Sequence, residues 1–247
     1  MNRHRLGALE LVSLQPDELF DVVEPSLRHV VTVNAEIFVL AHETPLYREI
    51  LRESVNTIDG QLLRWLVAWF NQGTHPRRLA GSDLIYSLAA FCRHRHHRLF
   101  LLGGSDRTNA LARERLHLRF PGLEVDGFAP PMTTDVTGSE WNAAILARFE
   151  AYRPAYLIVS LGSPKGEFWI HHSRAALSRL GVRFAAGFGG AVDFVAGVLP
   201  RAPRWIQIAG FEWLFRLACE PGRRFRRTLR MFRMPWHVLK YHVLRVS

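Results

Sequence analysis

The sequence predicts an α/β protein built on a layered, mostly parallel sheet. Four apolar runs have roughly strand length and little polar interruption, as strands buried on both faces require. The stretches between them space their apolar residues as helices do, and glycines close several of the runs. The runs are HVVTVNAEIFVLA at 29–41, RLFLLGG at 98–104, AYLIVSLG at 155–162 and VRFAAGFGG at 182–190. The helical stretches are QLLRWLVAWF at 61–70, DLIYSLAAFCRHR at 83–95 and TNALARERLHLRF at 108–120, the last ended by Pro121-Gly122. WNAAILARFEAY at 141–152 and KGEFWIHHSRAAL at 165–177 complete the alternation. In such a sheet, ligands bind at the carboxyl ends of the strands.

A chain of 247 residues can bury one sizeable core, or one core and a small appendage. With 48% apolar and 22% charged residues, wholesale disorder is excluded. Cys92 and Cys219 have no ligand-like spacing and point to a reducing compartment rather than a disulfide framework. The start, MNRHRLGALELVSL, lacks the apolar core of a signal peptide. No apolar run approaches the roughly 18 residues of a membrane span, so the expectation is a cytoplasmic protein with peripheral membrane attachment.

The net charge of +10 is concentrated at one end. Residues 201–247 hold eleven Arg and Lys against Glu212 and Glu220, a net of +9, leaving the rest almost neutral. The texture also changes near Arg204. The division expected is a core over 1–203 and a basic amphipathic appendage over 204–247. GFEWLFRLACEP reads as one helix ended by Pro221-Gly222. Beyond it Phe225, Leu229, Phe232 and Trp236 recur at helical spacing among arginines, with Pro235 kinking or breaking that helix. The pattern suits a helix lying on anionic lipid. It equally suits a solvated helix packed on the body through its apolar stripe, and periodicity does not separate the two. Nucleic acid is the less favoured partner, because no RNA-binding motif is present.

No cofactor fingerprint stands out. Gly103 and Gly104, and Gly187, Gly189 and Gly190, follow strands and would admit a phosphate, but strand-end glycines are more often turns. His94, His96 and His97 lie among arginines that oppose metal capture, and no Asp-x-Asp pair is present to hold a divalent ion. The candidate acid/base is Asp59, in NTIDGQLL, where a helix cap is the competing reading. Asp193 in AVDFVAG raises the same question, and Arg78 is an anion ligand or a surface arginine.

Taken in order, these segments resemble the WecG/TagA/CpsF glycosyltransferase family. The resemblance is carried by Thr32-Val33-Asn34-Ala35-Glu36, by Asp59-Gly60 and by RLAGSDL at 78–84. The LLGG strand end, FPGLEVDGFAPP, SLGSPKGEFWI at 160–170, GFGGAVDFVAGVLPRAPRW at 187–205 and GFEWLFRLACEPGRR at 210–224 follow. It implies a Rossmann-like core whose basic appendage helps close the active site at the membrane. It also implies inverting transfer, without metal or other cofactor, from a UDP-sugar to a polyprenyl (undecaprenyl) diphosphate-linked acceptor at the inner face of the bacterial inner membrane. Asp59 matches the general base, Thr32 and Asn34 match pocket residues, and Arg78 matches a residue steadying the donor phosphates. Gly104, Lys165, Glu167, Gly189 and Asp193 fall in matching segments, and Arg216, Arg223 and Arg224 would add cations for the diphosphate. Lys165 is the only lysine in the first 200 residues. Gly166 stands where the family usually has Gln, which removes an amide from the expected pocket. The rivals are a nucleotide-dependent oxidoreductase, which lacks its glycine fingerprint here, and a non-catalytic adaptor with a degenerate pocket. An apolar face that receives the appendage would also allow a homo-oligomer when the appendage is loose.

Overall fold

The computed structural model describes residues 2–23, 27–71 and 74–244. Its first half runs β1 (Asn2–Leu6), β2 (Leu9–Ser13), α1 (Pro16–Phe20), β3 (Arg28–Val33), α2 (Ala35–Glu43), α3 (Pro45–Arg52), β4 (Val55–Ile58), α4 (Gln61–Phe70) and α5 (Gly81–His94). The alternation continues through β5 (Leu99–Gly103), α6 (Asp106–Arg119), β6 (Val125–Phe128), α7 (Ser139–Tyr152), β7 (Tyr156–Ser160), α8 (Lys165–His172), α9 (Arg174–Arg179) and β8 (Phe184–Gly187). Helices α10 (Ala191–Val195), α11 (Arg204–Ile208), α12 (Glu212–Cys219), α13 (Pro221–Met231) and α14 (Met234–Val238) follow, with a π-helical turn at Leu239–Val243. The chain forms two compact units. One gathers Met1–Leu14, Thr32–Ala80 and Pro200–Ser247, and the other Gln15–Val31 and Gly81–Leu199.

In the second unit β8 pairs in parallel with β3 and β7, and β5 in parallel with β7 and β6. Every residue of β5 and β8 is buried, which explains their unbroken apolar character. On one side Phe100 of β5 meets Phe149 of α7 edge-on at 4.8 Å, and Trp169 of α8 completes the cluster. The Trp169 indole donates to Asn142 Oδ1 at 2.6 Å, so the buried N–H keeps a partner. At the carboxyl end of β5, Ser105 caps α6, and Asn109 Nδ2 donates to the carbonyls of Leu101 and Gly103. Those bonds fix the strand-to-helix turn.

In the first unit β1 and β2 form an antiparallel hairpin around Gly7-Ala8, and β2 runs parallel to β4. Gly7 has φ +59, and a Cβ there would fall 2.5 Å from His42 Nε2, so both backbone and space call for glycine. Helix α2 is buried from Ala35 to His42. On it lie α13 and α14, with Met234, His237 and Val238 buried.

The α/β class and the mostly parallel strands are those expected. The run at 29–41 is a correction: it is a strand only over Arg28–Val33, after which Asn34 caps α2. An all-buried helix has no polar face, so its sequence reads like a buried strand. The stretch at 165–177 likewise breaks at Ser173 into α8 and α9. The basic helix ends at Met231, and Pro235 sits in the first turn of α14, where its missing N–H costs nothing.

Residues 204–247 belong to the same compact unit as 1–14 and 32–80. Within that unit Phe225, Leu229, Phe232 and Trp236 point outward, while Thr228 is buried and the guanidiniums of Arg227 and Arg230 reach Glu36 of α2. The apolar stripe is therefore not what packs this helix on the body. Among the described residues no helix is long and apolar enough to cross a membrane.

Two buried histidines set a pH dependence. Burial, reinforced by Arg174 and His171, pushes His29 down to about 3. Burial also pushes His42 down to about 4, against the opposing Phe38 carbonyl. Both titrate near 6.5 when unfolded, so between about pH 4 and 6.5 the unfolded chain binds more protons. Stability is therefore full above pH 6.5 and is lost as pH falls, at roughly 1.4 kcal/mol per pH unit per histidine. Urea unfolding at pH 7.5 and pH 5 is expected to show a clear drop in midpoint.

Candidate active site

Three motifs distant in sequence converge in the first unit. Thr32, Val33 and Asn34 close β3, and Asp59 and Gly60 follow β4. The Asp59 amide donates to the Val33 carbonyl at 2.7 Å, and the Leu79 amide donates to the Ile58 carbonyl at 2.7 Å. The segment carrying Arg78 is thereby drawn to the same strand end. Thr32 is buried, and the Asn34 side chain accepts from the Ile37 amide at 3.0 Å, so Asn34 caps α2.

Asp59 is not a helix cap. The cap position of α4 is Gly60, at φ +104, so Asp59 stands one residue before it. The φ of Gly60 is one that only glycine adopts readily, and it turns the chain into α4 immediately after Asp59. The Asp59 side chain keeps 26% exposure and lies 3.9 Å from Arg78 Nε, too far for a hydrogen bond. Arg78 is held instead by Glu212 of α12 at 2.6 Å, and Glu212 also takes Arg216 at 3.0 Å. Carboxylates and guanidiniums thus alternate from Asp59 through Arg78 and Glu212 to Arg216. Arg224 pairs with Glu220 at 3.0 Å. Burial, then the charge of Arg216, lowers its affinity for its proton. Arg223 also belongs to α13, and its side chain lies outside those described.

Beside Arg78 opens a cavity of about 220 Å³ lined by Gln61, Arg64, Arg78, Arg204, Gln207 and Ile208. Three of the six lining residues are guanidiniums and none is a carboxylate, so the lining is cationic, with the charge of Arg78 partly met by Glu212 behind it.

The remaining candidates lie in the second unit. Gly104, at φ +78, precedes the Ser105 cap of α6, and a Cβ there would fall 2.8 Å from Thr108 Oγ1. Lys165 opens α8 and donates through Nζ to the Thr133 carbonyl. Glu167 is buried, with Oε1 only 2.9 Å from where a Cβ of Gly187 would stand, so glycine at 187 makes room for that carboxylate. Gly189 has φ +56 and open space where a Cβ would stand. Asp193 lies in the first turn of α10, and its carbonyl accepts from the amides of Val198 and Leu199. At Gly166 a Cβ would meet Val159 Cγ1 at 3.3 Å, so this position packs α8 tightly against β7. Among the described residues no three His, Cys, Asp or Glu side chains gather as metal ligands. His97 stacks on Tyr156 at 5.1 Å.

Sequence reasoning passed over Glu212 and Glu36. A signal was present, because Glu212 is one of only two acids among the cations of 201–247. An acid in such a run is there to hold a particular arginine. Glu36 offered a weaker one, a charge set just ahead of an apolar run from Ile37 to Ala41 in a buried helix.

Residues 6–246 match the Glycosyl transferase WecG/TagA/CpsF family. A similar protein is the N-acetylglucosaminyldiphosphoundecaprenol N-acetyl-beta-D-mannosaminyltransferase of Bacillus spizizenii. The two are 29% identical over 212 residues, covering 86% of this chain and 79% of that protein.

Proposed function

Because the chain belongs to the WecG/TagA/CpsF family and is a glycosyltransferase, we propose that it moves a sugar from a UDP-sugar onto a polyprenyl-diphosphate-linked saccharide, with inversion and without a metal. The observation that carries this reading is a partly exposed Asp59 at a strand end, outside the cap position of α4 and next to an arginine-lined cavity. The activity named for the Bacillus spizizenii relative supports the lipid-linked acceptor.

In this reading the Asp59 carboxylate takes the proton of an acceptor hydroxyl as its oxygen attacks the anomeric carbon of the donor. The bond from that carbon to the diphosphate oxygen breaks, and the electron pair leaves with UDP. A single displacement inverts the anomeric centre. The departing charge needs cations, and Arg78, steered by Glu212, and Arg216 supply them in place of a divalent ion. Arg224 of α13, which feels the charge of Arg216, adds to the same positive field. Thr32 and Asn34 border the strand end where the acceptor hydroxyl would sit.

Membrane attachment at the cytoplasmic face, through residues after 204, completes the proposal. The outward stripe of Phe225, Leu229, Phe232 and Trp236 among arginines supports it over the packed-helix alternative. A thermal-shift titration tests the nucleotide part. UDP at about 100 times its Kd stabilises a binding-competent fold by roughly 2.7 kcal/mol. A rise in Tm is therefore expected with UDP, and the absence of any rise at millimolar UDP would refute the donor class.

A further inference from the structure

Helix α4 carries two apolar faces. Leu63 and Val67 are buried in the unit. On the other face Leu62, Trp65 and Trp69 follow at steps of three and four, and Trp69 is 81% exposed. A soluble surface helix keeps that second face polar. Helices α11 and α12 repeat the anomaly: neither buries a single residue, yet Trp205, Ile208, Phe211 and Leu214 are all exposed. The two surfaces adjoin. A Cβ at Gly210 would stand 3.2 Å from Trp65 Cη2, and the arginine-lined cavity takes Gln61 and Arg64 from α4 and Arg204, Gln207 and Ile208 from α11.

We infer that α4 and α11 together form a bilayer-docking face, with Trp65, Trp69, Trp205 and Ile208 entering the interface of an anionic membrane and Arg64 and Arg204 meeting lipid phosphates.

This rests on the reading that assigns membrane attachment to residues after 204, to which α11 belongs, and extends it to α4, which lies far upstream in the sequence. Charge and chemistry commit the face to lipid. A second protein copy would bring the same cations against themselves, whereas anionic headgroups neutralise them. Exposed tryptophans beside guanidiniums are the side chains that settle at the headgroup level of a bilayer. Contiguous exposed apolar surface of this kind marks an interaction site rather than ordinary protein surface. The face also adjoins Arg78, which puts Asp59 next to the membrane side of the unit.

The test is co-sedimentation of the full chain with vesicles of equal parts phosphatidylcholine and phosphatidylglycerol. Trp69→Ala removes an exposed side chain and no core contact, and is expected to weaken partitioning about tenfold. Leu118→Ala, at an exposed position on α6 in the other unit, is expected to bind as wild type. Arg204→Ala should weaken binding to these vesicles but leave the weaker binding to pure phosphatidylcholine unchanged. Wild-type binding by Trp69→Ala, alongside lost binding by Trp236→Ala, would overturn the role of α4 and leave attachment through the later residues standing. No vesicle binding by the wild type would remove both. A change in self-association with unchanged vesicle binding would mark a protein interface and also overturn the inference.

Discussion

Asp59→Asn is expected to lower turnover by about a thousandfold or more, within the range of a lost general base. The amide has the size and hydrogen-bonding reach of the carboxylate but does not accept a proton at neutral pH. The fold around it is expected to persist, because Asp59 lies outside the cap position of α4 and the bond to the Val33 carbonyl comes from its backbone amide, which the substitution leaves in place. Arg78 keeps its place through the 2.6 Å pair with Glu212. The unfolding midpoint and the affinity for UDP are therefore expected to match wild type, with the loss confined to kcat. Turnover near the wild-type rate would remove Asp59 from the role of base.

The second large effect concerns the attachment of the basic helix. Glu36 is 6% exposed and receives Arg227 at 2.7 Å and Arg230 at 3.4 Å. The two arginines each keep about a third of their side chains exposed, 35% and 36%. Removing one side of this cluster is not equivalent to removing the other. Arg227→Met with Arg230→Met strands a buried carboxylate, at a cost of roughly 3–5 kcal/mol. Glu36→Gln leaves guanidiniums that can turn to water, and its cost is expected nearer 1 kcal/mol because exposed partners are screened. Denaturant unfolding of the two variants is expected to rank them in that order. Equal or reversed losses would mean that Glu36 does not hold α13.

Much of this arrangement was legible in the residues. Continuous apolar runs announced β5, β7 and β8 because strands buried on both faces need no polar alternation. The strands left unread are short or half exposed. In β1 and β2 polar residues share the hairpin, β4 spells only VNTI, and β6 spells VDGF. Helix α2 was misread because burial on all sides erases the periodicity that distinguishes helix from strand. At the site, the motifs around Thr32, Asp59 and Arg78 carried the resemblance to the family, but not the partners of those residues. Whether Asp59 capped α4 depended on the backbone at Gly60. That Glu212 steers Arg78 depended on a contact between residues 134 positions apart. The direction of the tail's apolar stripe was equally closed to periodicity, which gives the spacing of a face and not what it meets. Glu36 and its arginines decide that orientation.

The most direct test of sugar transfer through Asp59 is UDP release by the full chain, given a short-chain polyprenyl-diphosphate saccharide and a panel of UDP-sugars without added metal. The expected result is release from one donor that requires the acceptor, persists in a chelator and disappears in Asp59→Asn. Release that ignores the acceptor, that needs a divalent ion, or that survives in Asp59→Asn would contradict the account.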